Sequence, residues 1–191
     1  NLVIKYTPSG EDVEVYADSN RLEQVLTNLV SNAIKFTPDA GEIDISSKVV
    51  NARELQYDHC FEEDIKRLQG NYLLVCVEDH GIGIERKDLN HVFDKFAQIE
   101  NSLSRKVGGS GLGLPIARQL MESHNGAIWC DSEINKGSKF YFVIPVANDR
   151  SNFVMIKKQL AQRARSNGST IAVIKIKSTN EVIENLLREN N

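Results

Sequence analysis

No apolar run in this 191-residue chain approaches the roughly 18 residues that a membrane-spanning helix needs, so the segment is expected to make no direct membrane contact. Positive charge is not in excess. The 23 Lys and Arg stand against 26 Asp and Glu, a net charge of −3, and this excludes the clustered basic surface that binding to nucleic acid demands. Cysteine is scarce and odd in number: Cys60, Cys76 and Cys130 have no C-x-x-C spacing, and the last two fall in strand-like apolar runs. That pattern fits buried thiols in a reducing cytosol better than disulfides or a metal site. The four histidines are scattered, with no metal-ligand spacing, and no repeat or low-complexity tract occurs. What remains is globular, 41% apolar and 26% charged. A chain of this length buries about two-thirds of its extended surface and builds one domain, or one domain and part of another. The opening residues do not read as a signal peptide, and a start at Asn1 without Met is expected of a piece of a longer protein.

Alternation of apolar and polar residues at Leu2 to Tyr6 and Val13 to Tyr16, around Ser9-Gly10, reads as a strand pair. A long helix follows, with Ser19 as its expected cap, and Thr37-Pro38 stops it, because the residue before proline resists helical geometry. Glu42 to Val50 reads as a half-buried strand and Tyr72 to Val77 as a strand covered on both faces. The charged stretch between them, about residues 51 to 70, is expected to be a surface excursion. Asp88 to Phe96 carries a short helical pattern, and polar Ala97 to Ser110 has the composition of a mobile lid. Leu112 to Ser123 is amphipathic, with Pro115 in its first turn and Asn125-Gly126 at its end. Ala127 to Cys130 and Lys139 to Pro145 read as strands joined by a turn with Asn135, Lys136 and Gly137. Residues 147–191 then read as helix, strand and helix, either the start of a second α/β unit or an extension docked on the first.

Three constellations carry chemistry. On the first helix, Asn28, Asn32 and Lys35 fall within roughly 60° of one another, while Leu22, Leu26, Leu29, Ala33 and Phe36 cover the neighbouring face. Asn is a poor helix former, so a merely solvated stripe had cheaper residues available. The strand from Tyr72 leads into Asp79-His80-Gly81-Ile82-Gly83-Ile84, where a carboxylate at a strand exit can accept a hydrogen bond from an exocyclic amine and two glycines let a flat ring approach the backbone. Third, Gly109-Ser110-Gly111-Leu112-Gly113-Leu114 feeds straight into a helix, an arrangement of backbone N–H groups that favours phosphate. Neither G-x-G-x-x-G nor a Gly-Lys-Ser/Thr phosphate loop can be drawn there.

In this order and spacing, residues 1–146 resemble the ATP-binding catalytic domain of sensor histidine kinases, in the superfamily that also holds gyrase, MutL and heat-shock ATPases. The family's N box is similar to Arg21 to Thr37, its glycine boxes to Asp79 to Ile84, Gly109 to Leu114 and Gly137 to Phe140, and its F box to Phe93-Asp94-Lys95-Phe96. The resemblance implies an α/β two-layer sandwich of the Bergerat type, a mixed sheet covered on one face by helices, with a mobile ATP lid. It implies Mg-ATP as ligand, with Asp79 on the adenine amino group, Gly81, Gly83 and Ile84 shaping the base pocket, and Phe93, Phe96 and Ser138 lining the site. Asn32 would coordinate Mg²⁺ beside Asn28, and Lys35 and Arg105 would neutralise phosphate charge. Gly109, Gly111, Leu112, Gly113 and Leu114 would cradle the triphosphate.

Position 28 separates branches of that superfamily. Its ATPases and anti-sigma serine kinases have a Glu there, whereas Asn28 cannot act as a general base at neutral pH. The implied activity is therefore that of a cytoplasmic histidine kinase, donating the γ-phosphoryl to a histidine on an upstream dimerisation domain, with a response regulator or receiver domain downstream. No segment of this chain matches the dimerisation domain, and His124 does not fit its motif. Gln98, where many simple sensor kinases carry Arg, is a variation that resembles hybrid kinases. The tail has a faint resemblance to a diguanylate-cyclase domain, but Lys175 and Lys177 replace the metal-binding carboxylates and no activity is assigned to it. An ATP-hydrolysing conformational module and a nucleotide-sensing pseudokinase are the alternatives. Steady ATP turnover by the chain alone distinguishes the first, and binding without transfer the second.

Overall fold

The computed structural model describes residues 2–10, 12–58, 61–97, 110–149 and 172–176, the last segment as backbone. Five strands form the main sheet: β1 (Val3–Thr7), β3 (Glu42–Asn51), β4 (Asn71–Asp79), β5 (Ala127–Glu133) and β6 (Gly137–Pro145), in the order β1-β3-β4-β6-β5. β1 runs parallel to β3 and every other neighbour is antiparallel, so the sheet is mixed, as expected. The helices α1 (Ser19–Phe36) and α3 (Gly113–Ser123) pack on one face and on each other, and the short α2 (Glu62–Lys66) precedes β4. Of the apolar stripe read from the sequence, Leu26, Leu29 and Ala33 are buried while Leu22 and Phe36 are half-buried, and Val25 and Val30 join them; these buried residues of α1 meet Ile43, Ile45, Val75, Val77, Phe140 and Phe142 of the sheet in one core.

Several local expectations change. The strand β2 (Val13–Ala17) is not the hairpin partner of β1. It pairs antiparallel with β7 (Ala172–Ile176) and touches the end of β6 through the Val15–Val146 bridge, because β1 is instead drawn into the main sheet by its parallel register with β3. The cap of α1 is Asp18, whose carboxylate accepts from the N–H of Asn20 and Arg21, while Ser19 is the first helical residue. Thr37 ends the helix as expected, donating its N–H and its hydroxyl to the Ala33 carbonyl. Residues 86–96 form a single 3-10 turn and further turns rather than an α-helix, closed by three-residue bonds such as Asp88 N–H to Glu85 O and His91 N–H to Asp88 O.

The charged stretch before β4 is not a surface excursion. Leu55, Phe61, Ile65 and Leu68 are buried, Phe61 meets Phe93 edge-on at 5.9 Å, and Trp129 donates its indole N–H to the Gln56 carbonyl. Polar ties close the same segment against α3 and the start of β5, from Arg118 to Asp64 at 2.7 Å and from Arg67 to the Gly126 carbonyl at 3.3 Å. Its apolar residues were too sparse to show a period, and their burial depends on partners far along the chain.

Candidate functional site

The stripe on α1 organises the site. Asn28, Asn32 and Phe36 are four residues apart and so follow one line along the helix, about 6 Å per step. At the first position, Asn28 Nδ2 donates to the Gly113 carbonyl at 3.0 Å, which brings the start of α3 against α1. At the last, the loop after β4 packs on the end of α1, since a side chain at Gly81 would run into the Phe36 carbonyl. Asn32 lies between, half-buried, and its amide makes no hydrogen bond to the described residues. Lys35 lies in the last helical turn with its ammonium 4.9 Å from the Phe36 ring centroid.

Among the described residues no side chain caps the start of α3; Leu112 is the cap residue, its own N–H reaches Ser110 Oγ at 3.4 Å, and Pro115 has no N–H to offer. The orphan donors of this first turn thus include the N–H of Gly113 and Leu114. Gly111 has φ of +64° and sits under the carbonyl of Ala97, whereas a Cβ at Gly113 would meet Asn28 only at ordinary contact distance. Gly109 and Arg105, together with nearly all of the expected lid, lie outside the described residues.

At the other end Asp79 is 4% exposed. Its Oδ1 accepts the Gly81 N–H at 2.9 Å, and burial holds its carboxyl above the usual carboxylate range, with the N–H donors of Gly81 and Ser138 and nearby His80 opposing. Ser138, buried, is the register partner of Asp79 across β4 and β6. The N–H of Ile84, at the end of the loop, donates to Ser132 Oγ at 2.8 Å. The glycines here serve the protein's own packing: side chains at Gly83 and Gly137 would collide with the carbonyls of Glu133 and Asp79. Gly81 and Gly83 thus let the loop close on α1 and on the β5–β6 turn. Phe93 points inward, 4% exposed and edge-on to Phe140, and so supports this region from the core. Phe96 is 72% exposed with φ of +63°.

Two features were missed from the sequence. Ser132 was one, although its place opposite Ser138 in a hairpin could have been counted from the turn. The other is a second tie between α1 and α3. His124 is buried, Nε2 accepts the Asp18 N–H at 3.0 Å, and Nδ1 donates to the Leu120 carbonyl at 2.7 Å, which sets the neutral tautomer.

Among the described residues no group of three or more His, Cys, Asp or Glu could hold a metal ion. The oxygen donors at hand are the Asn28 and Asn32 amides, hard ligands suited to a cation such as Mg²⁺ that keeps waters and phosphate oxygens in its shell. Burial pushes the Cys76 thiol up to about 12, so it is no nucleophile, and Cys60 lies outside the described residues. No described helix is long and apolar enough to cross a membrane.

Comparison with known proteins bears on the family and the fold. The model of the histidine kinase-, DNA gyrase B- and HSP90-like ATPase family matches residues 17–148. Sensor histidine kinase WalK of Bacillus subtilis is 36% identical over 74% of this chain and 20% of its own length. The autoinducer 2 sensor kinase/phosphatase LuxQ of Vibrio vulnificus is 41% identical over 71% of the chain and 14% of its own length. The chain therefore spans a fifth or less of these two curated relatives. The crystal form of the catalytic domain of histidine kinase ThkA superposes with a TM-score of 0.55 at 30% identity, covering 75% of this chain and 80% of that one. Full-length ShkA in complex with AMPPNP superposes with a TM-score of 0.56 at 26% identity over 77% of this chain and 26% of its own. The chain belongs to the histidine kinase-, DNA gyrase B- and HSP90-like ATPase family and carries the ATP-binding catalytic domain of a histidine kinase.

Proposed function

We propose that this domain holds Mg-ATP along α1 and donates its γ-phosphoryl to a histidine on a separate dimerisation domain, on the cytoplasmic side, with a response regulator or receiver domain as the next acceptor. The observation that carries the reading is the bond from Asn28 to Gly113, which sets the asparagine stripe of α1 beside the uncapped start of α3. Asp79 accepts the adenine amine, and Ile84 and Ser138 bound the base. The N–H groups of Gly113 and Leu114 face phosphate oxygens, with Gly111 and Leu112 shaping the turn that presents them. Asn32 offers its unengaged amide oxygen to the cation, and Lys35 and the lid residues Arg105 and Gly109 attend the phosphates. Mg²⁺, when bound, supplies charge neutralisation and fixes the phosphate geometry.

Asn28 spends its amide nitrogen on Gly113 and has no basic atom, so it cannot activate a water for attack on the phosphate. Transfer needs positioning and charge neutralisation above all, and an incoming imidazole brings its own nucleophilicity. The test mixes the chain with a histidine-bearing dimerisation domain from a related kinase and γ-labelled Mg-ATP. Acid-labile, alkali-stable label on the dimerisation domain is expected, and Asn32→Ala should lower it by about a hundredfold or more, as loss of a transition-state charge contact does. Binding without label points to a nucleotide sensor, and steady release of free phosphate points to an ATPase.

A further inference from the structure

Ser132 is held in three contacts that its single proton cannot serve as a donor. Its Oγ lies 2.8 Å from the Ile84 N–H, 2.8 Å from the Gly137 carbonyl and 3.0 Å from Ser138 Oγ. The Ile84 N–H can only donate and the Gly137 carbonyl can only accept, so Ser132 accepts from the first and gives its proton to the second. All three contacts are then hydrogen bonds only if Ser138 donates its own proton to Ser132. The direction of the Ser138 hydroxyl is thus dictated from the strand next to it.

Ser138 is the cross-strand partner of Asp79, and its proton, once spent on Ser132, leaves lone pairs alone at the Ser138 oxygen. An ionised Asp79 likewise offers only lone pairs. We infer that Ser132 is a positioning residue for base selection: by orienting Ser138 it makes the corner that meets position 6 of the purine an array of acceptors, which takes a 6-amino group and rejects a 6-oxo group. The inference rests on the adenine reading of Asp79 given above. A 6-amino group brings two protons to such an array, whereas a 6-oxo group brings lone pairs against lone pairs, and a site built for one polarity leaves its groups unpaired with the other. Ser132 also tethers the far end of the loop that begins at Asp79, through Ile84, so the same hydroxyl places both the loop and the proton.

Mg-ADP and Mg-GDP binding to the full chain by calorimetry, with thermal melting of the same samples, separates these roles. Ser132→Ala frees the Ser138 proton to turn toward the base, and the preference for ADP over GDP is expected to fall by about tenfold, the worth of one neutral hydrogen bond in a site. Ser132→Thr keeps the hydroxyl on a β-branched residue suited to a strand and should retain the preference. A lowered melting temperature in Ser132→Ala with the ADP-to-GDP ratio unchanged would overturn the inference and leave a purely structural bond. Asp79→Asn serves as the reference: if wild type binds neither nucleotide, the adenine reading itself fails, whereas if Asp79→Asn loses the preference and Ser132→Ala keeps it, only the role of Ser132 fails.

Discussion

In the proposed role of Asp79 as acceptor of the adenine amine, a single buried carboxylate would link ligand recognition to pH. Because burial raises the proton affinity of Asp79 in the folded chain above that in the unfolded one, its contribution to stability is largest at low pH and declines as pH rises through the folded value. A bound amine reverses this bias, since it rewards the ionised form. Wild type should therefore bind Mg-ADP about tenfold or more tightly than Asp79→Asn at neutral pH, the scale of a hydrogen bond to a charged group, and that ratio should shrink as acidification protonates Asp79. Calorimetric titration of both proteins across pH checks this, and a constant ratio would remove the carboxylate from recognition. At this scale the residues of the site were legible because their types are costly elsewhere: Asn inside a helix, Asp after an apolar strand, glycine before a helix. Their reasons were less so. That Gly83 answers to the Glu133 carbonyl, and Gly137 to that of Asp79, depends on a hairpin whose approach no local pattern encodes.

Among elements, the pairing of α1 with α3 positions the chemistry. The two ends of α3 are tied to α1, by Asn28 to Gly113 at the middle of α1 and by His124 to Asp18 at its start, and the Asp18 carboxylate meanwhile caps α1. Replacing His124 by Ala leaves the Asp18 N–H without its side-chain partner in a buried place, while the Leu120 carbonyl keeps the Ser123 hydroxyl, and should cost roughly 1–3 kcal/mol. Urea denaturation measures it; a loss below about 0.5 kcal/mol, the range of surface changes, would show that the tie is dispensable. The amphipathic period disclosed both helices and their buried stripes. It was silent on the histidine, because a lone His at a helix end has no periodic signature and its partner lies more than a hundred positions away in sequence.

For the whole molecule, strand identity was legible from alternation, but strand pairing was not. A parallel partner for β1 lies beyond a helix, and β2 finds its partner only at β7, so adjacency in sequence misled. The second of these pairings joins strands far apart in sequence, closing a loop that encloses every strand of the main sheet except β1. Such a contact repays its closure entropy late, after the pairings within the sheet have formed. Amides of residues 172–176 should accordingly exchange with deuterium sooner than those of 71–79 in the central strand β4, as mass spectrometry of peptic fragments can measure; equal protection would mean that the two sheets open as one unit. The order of assembly that follows is inside out: the strand leading to Asp79 is set before β2 and β7 meet, and that pair is the first to let go.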